Sequence, residues 1–71
     1  MARIVDARGL SCPQPVILTR QAIAEGDFPI EVLVDTATAR ENVNRLAQKA
    51  GLQVRVDALG EDFKLTLTQE D

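Results

Sequence analysis

The chain has 71 residues, a formal net charge of −3, 45% hydrophobic residues and one cysteine, with no histidine, tryptophan or tyrosine. A single cysteine cannot close an internal disulfide, and without histidine one chain builds neither a Cys-His pair nor a zinc site. The acidic balance and scarce aromatics argue against direct nucleic-acid binding, which favours a basic face and stacking rings.

A chain this short buries only about 60% of its unfolded surface, so residues 1–71 read as one domain with an aliphatic-rich core. No apolar run approaches the ~20 residues of a membrane span. The start, Met1-Ala2-Arg3-Ile4-Val5-Asp6, is too short and too charged for a signal peptide. These features lead us to expect a cytoplasmic protein with no membrane partner, no metal and no cofactor.

Residues 3–6 read as a short strand, followed by a loop containing Gly9. A proline-led helix then runs from Pro13 to about Glu25, with Pro15, Val16, Leu18, Ala22 and Ile23 on one face. Ile17 falls off that stripe, beside Arg20, Gln21 and Ala24. Gly26 suits the helix C-terminus. A second strand, Ile30 to Asp35, directs Ile30, Val32 and Val34 to one side. The second helix spans roughly Ala37 to Ala50, with an apolar stripe of Ala39, Val43, Leu46, Ala47 and Ala50. Its start has two readings: Thr36 as N-cap, or a capping box of Thr38 and Glu41. Gly51 closes it.

Leu52, Val54 and Val56 alternate with polar residues, as do Phe63, Leu65 and Leu67, giving two half-buried strands joined around Gly60. The order is βαβαββ. With one dry and one wet sheet face, both helices must cover the same side. The expected class is α/β (α+β), a two-layer sandwich with a four-stranded mixed sheet.

Cys12 opens the run Cys12-Pro13-Gln14-Pro15. Pro13 disfavours the helical region for the residue before it, so Cys12 is expected at the N-cap with Pro13 opening the helix. Pro13 and Pro15 bring no N–H, leaving Gln14 as the amide expected to meet the sulfur. A thiol over a helix N-terminus is favoured as thiolate. The plainer reading is a small buried hydrophobe. If the first two strands are parallel neighbours, their carboxyl ends and both helix starts share one edge, bringing Asp35, Thr36 and Arg40 toward Cys12, with Arg8 in the preceding loop. Arg40 also reads as a solvated residue of a first helical turn. Leu10 and Ile17 could form an apolar rim for docking.

Asp6-Ala-Arg-Gly9-Leu-Ser-Cys12-Pro13-Gln-Pro15 resembles the D-x-x-G-x-x-C-P-x-P signature of the TusA/SirA-like sulfur carriers, whose βαβαββ fold would span the whole chain. The resemblance implies that Cys12 takes sulfane sulfur as a persulfide from a cysteine desulfurase or rhodanese-type donor. It implies relay to a downstream acceptor protein, in tRNA thiolation or cofactor biosynthesis. Val34-Asp35-Thr36 and Ala39-Arg40-Glu41-Asn42-Val43 look like the YedF-like branch associated with selenium metabolism, although Thr36 stands where that branch has Asn. A persulfide carrier, sulfurtransferase-like rather than a turnover enzyme, needs an accessible thiolate and little else.

Two other classes compete: a regulatory or RNA- or protein-binding module of the same fold, and a redox-sensing thiol. Fold alone does not decide among them, and a lone cysteine lacks a resolving partner.

Overall fold

The computed structural model describes residues 3–11 and 13–69. Its elements are β1 (Arg3–Asp6), α1 (Gln14–Glu25), β2 (Ile30–Val34), α2 (Ala37–Lys49), β3 (Leu52–Leu59) and β4 (Asp62–Gln69). The strands form one sheet in the order β1-β2-β4-β3. β1 and β2 run parallel, and the other two pairs are antiparallel. The expected α+β sandwich with a mixed four-stranded sheet is the one observed.

Register explains the layering. Val5 lies opposite Val32, Val32 opposite Leu65, and Leu65 opposite Val56, making one apolar row across the sheet. A second row joins Ile30, Leu67 and Val54. Both rows face the helices, and Val32, Val34, Ile30, Leu65 and Leu67 are fully buried against Ala22, Val43 and Ala47. Burying each large aliphatic side chain contributes about 1.5–3 kcal/mol. The opposite face carries the polar residues of the same strands, among them Glu31 and Lys64, paired at 3.4 Å. Among the described residues, no helix is long and apolar enough to cross a membrane.

Several details differ from expectation. α1 begins at Gln14, with Pro13 in the cap position. On its buried face Thr19 is fully enclosed, where a polar residue was not expected. Its hydroxyl donates to the Pro15 carbonyl at 2.8 Å, which removes the penalty of burying it. β2 ends at Val34 because Asp35 turns away to bind another loop, as described below. Ala50 is exposed, standing at the C-cap of α2 beyond the last packed turn. Gly26 ends α1 at φ 78°, in the left-handed region. β3 and β4 meet in a two-residue turn, Leu59 pairing with Asp62 across Gly60 at φ 64°. Positive φ at the first central residue alone suits a type II′ hairpin.

Candidate functional site

The parallel pairing of β1 and β2 places the loop before α1 and the start of α2 at the same sheet edge. The loop is built from its own polar residues. The Asp6 carboxylate accepts from the Arg8 backbone N–H at 3.1 Å, from Arg8 Nε at 2.9 Å and from Arg8 Nη2 at 2.8 Å. Arg8 also reaches Asp62 at the start of β4, at 3.5 Å. The Arg8 hydrogen bonds hold the Asp6 carboxyl at about 2, against an ordinary value of 3.8, and raise the pKa of the guanidinium in turn. Arg8, a candidate ligand-binding cation, is therefore engaged in holding its own loop.

The next residue joins the two junctions. Gly9 has φ 77°, a conformation that favours glycine. Its N–H donates to Asp35 Oδ2 at 2.8 Å. Ala7, only 1% exposed, continues the parallel ladder by donating to the Leu33 carbonyl at 2.8 Å. The loop is thus clamped on both sides before it reaches residue 12. Cys12 itself lies outside the described residues, as do residues 1–2 and 70–71.

Beyond it, the Gln14 N–H donates to the Ser11 carbonyl at 2.9 Å. The amide expected to meet the sulfur thus has a backbone partner. The shift of the helix start by one residue explains this: Gln14 becomes the first helical residue, and its N–H closes the turn from Ser11. Pro13 has no side-chain acceptor, so among the described residues α1 has no side-chain cap. In α2 the first of the two expected starts is realised, with the Thr36 hydroxyl accepting from Ala39 N at 3.1 Å.

Between the two helix starts lies a cavity of about 210 Å³, lined by Leu10, Ser11, Pro15, Val16, Thr36, Thr38, Ala39 and Asn42. It joins residues on both sides of Cys12 in sequence with the first turn of α2. Leu10 is 40% exposed at its rim, and Ile17 is 41% exposed on α1 without lining it. Pro15 is buried. Arg40 is not brought to this cavity. Its guanidinium lies over the Phe63 ring, 4.7 Å from the centroid, which gives a cation in a first helical turn a structural reason to be there.

A shallower groove of about 360 Å³ runs alongside, between α1 and α2, lined by Pro13, Val16, Arg20, Asn42, Arg45, Leu46 and Lys49. Its basic residues were missed because they look scattered along the chain. The signal was their spacing: Pro13, Val16 and Arg20, and again Asn42, Leu46 and Lys49, fall at helical intervals on facing surfaces.

A two-layer α+β domain whose lone cysteine falls in sequence between a clamped glycine loop and a proline-led helix defines a small thiol-bearing protein. The model of the sulfurtransferase TusA family matches residues 3–69, and the chain belongs to that family. A curated relative from Archaeoglobus fulgidus, named "Putative sulfur carrier protein", is 36% identical over 52 residues, covering 70% of this chain and 68% of its own. The crystal structure of a SirA-like protein from Desulfitobacterium hafniense superposes with a TM-score of 0.83 at 29% identity, covering 99% of this chain and all of that one.

Proposed function

We propose that this protein relays sulfur as a persulfide on Cys12. The Cys12 thiolate attacks the outer sulfur of a donor persulfide, R–S–SH. The donor S–S bond breaks, R–S⁻ leaves, and Cys12 carries S–SH, so neither an oxidant nor a reductant is consumed. A second thiolate on an acceptor protein then takes the outer sulfur by the same exchange. The observation that carries this reading is the lone cysteine within Asp6-x-x-Gly9-x-x-Cys12-Pro13-x-Pro15, in a chain matched by the TusA family from residue 3 to residue 69.

The surroundings described above suit that chemistry. Gly9 and Asp35 stiffen the approach to residue 12, and the two prolines limit the freedom of the chain after it. Leu10 and Ile17 offer aliphatic contacts that exclude water from a transient interface. The groove with Arg20, Arg45 and Lys49 gives a donor or acceptor with an acidic docking surface a complementary face, making transfer sensitive to salt. A cysteine desulfurase or a rhodanese-type protein is the proposed donor.

The test is the intact mass of the full chain after incubation with a purified desulfurase and cysteine. One added sulfur, removed by a thiol reductant and absent from Cys12→Ser, is expected. No added sulfur from either a desulfurase or a rhodanese donor would overturn the reading. Salt-dependent binding to RNA in its place would favour the binding-module class.

A further inference from the structure

The edge strand β3 has β4 on one side and no strand on the other among the described residues. At eight residues it is twice as long as β1, the other edge. Long open edges are templates for another strand, and proteins commonly blunt them with charge. Here the charges are Arg55 and Asp57, two residues apart on the outer face, opposite in sign and 3.4 Å from each other along the strand, an exposed pair that a second strand can exchange for cross-strand pairs. The Arg55 side chain is 80% exposed, and on the inner face Val56 is 43% exposed despite its place in the apolar row.

Opposite charges at this spacing do not block an antiparallel copy of the same strand; they select its register. We propose that β3 pairs with β3 of a second copy of this chain about a two-fold axis at Val56, joining the two sheets into one of eight strands. A two-fold perpendicular to the sheet keeps inner faces with inner faces, so only registers centred on a residue are allowed. Centred on Val56, Arg55 lies opposite Asp57 of the other copy, twice, and the two Val56 side chains meet at the axis. Centred one residue earlier, Arg55 meets its own copy. One residue later, Asp57 does. Like charges directly opposite destabilise a strand pair, and unlike ones favour it, so the Val56 register is selected against its neighbours. Asp57 already faces Lys64 across β4. In the dimer it sits between two cations.

The contact is isologous and closes on itself, leaving the short β1 edges outermost. Residues 8–11 follow β1, at the opposite edge of the sheet from β3. A strand pair buries less than the ~800 Å² per partner of a standard interface, which makes the dimer weak and concentration-dependent.

Light scattering or sedimentation on the full chain, over a concentration series, tests this. The mass is expected to rise toward twice that of the monomer. Arg55→Asp and Asp57→Arg each put like charges across the axis and should keep the chain monomeric where the wild type is at least half dimeric. The double variant Arg55→Asp/Asp57→Arg restores opposite charges and should dimerise again. Circular dichroism checks that each variant is folded; should a reversal disturb the fold, Val56→Glu brings two carboxylates to the axis and decides in its place. A wild-type chain that stays monomeric at every soluble concentration overturns the proposal. So does a dimer indifferent to both single reversals, or a folded double variant that remains monomeric.

Discussion

At the carboxyl ends of the two parallel strands, β2 passes into α2 through Asp35 and Thr36 alone, whereas β1 reaches α1 through residues 7–13. The short junction is closed by its own chemistry, with the Thr36 hydroxyl on the Ala39 amide. The long junction begins its helix behind Pro13, has no side-chain cap among the described residues, and is held by contacts made before Ser11. Two junctions in equivalent topological places thus separate two tasks. One stabilises a helix. The other is tied down by Asp6, Arg8, Gly9 and Asp35, and Pro13 at its helix start offers no side-chain acceptor.

The sharpest way to break this comparison is to exchange the tasks. Cys12→Ser should abolish sulfur transfer while leaving the thermal midpoint close to that of the wild type, since serine tolerates a helix-start position. Thr36→Val should do the reverse, lowering stability by about 1 kcal/mol in a urea titration while transfer persists. Should Cys12→Ser unfold the chain, or Thr36→Val abolish transfer in folded protein, the division of labour between the junctions is wrong.

The clamp on the long junction is open to a graded test. Gly9 lies at φ 77°, and a methyl built there meets no atom within 4 Å. Gly9→Ala should therefore cost only the backbone penalty of a left-handed residue, about 1–2 kcal/mol. Asp35→Ala removes the acceptor of the Gly9 N–H and should loosen the same loop, read as faster exchange of the Gly9 amide. If Gly9→Ala is neutral, the loop does not need this conformation. If the Gly9 amide exchanges at the wild-type rate in Asp35→Ala, the clamp lies elsewhere.

Much of this was legible in the chain, for physical reasons that differ by region. The strands alternate at Ile30, Val32, Val34 and at Phe63, Leu65, Leu67, and the helix stripes repeat at Ala39, Val43 and Ala47, so element order and layers followed from periodicity. Gly26 and Gly60 marked a helix end and a hairpin because only glycine takes positive φ without strain. What escaped were features set by tertiary partners. Arg40 read as a site residue or a solvated one until Phe63, 23 residues on, supplied a ring beneath it. Arg8 looked free until Asp6 and Asp62 engaged it. Thr19 reads as polar, and only its bond to the Pro15 carbonyl lets it be buried. The Gln14 amide was assigned to the sulfur by elimination, and a helix starting one residue later gave it to Ser11.

A smaller effect separates docking from stability on α1. Ile17→Glu introduces a charge at a position already 41% exposed, so stability should change by no more than about 0.5 kcal/mol. Transfer from a protein donor should slow, while alkylation of Cys12 by a small reagent should not. Unimpaired transfer removes Ile17 from the docking surface. A large loss of stability would mean that its side chain packs in the core.

The smallest expected effect is the acid response of the long junction. Asp6 titrates at about 2 in the folded chain because of the Arg8 hydrogen bonds, below its ordinary 3.8. A carboxylate depressed by folding contributes its full stabilisation above the ordinary value and loses it as the pH falls toward about 2. The pair is exposed, so the contribution is small and weakened by salt. In Asp6→Asn that contribution is gone at every pH. The stability gap between wild type and Asp6→Asn should therefore be constant above pH 4, narrow as the pH is lowered toward 2, and shrink when salt is added. Among the described residues the short junction carries no comparable ion pair, Asp35 accepting from a backbone N–H, so Thr36→Val should hold a constant deficit over the same range. A gap for Asp6→Asn that stays unchanged down to pH 2 would mean that Asp6 holds the loop by its shape and not by its charge.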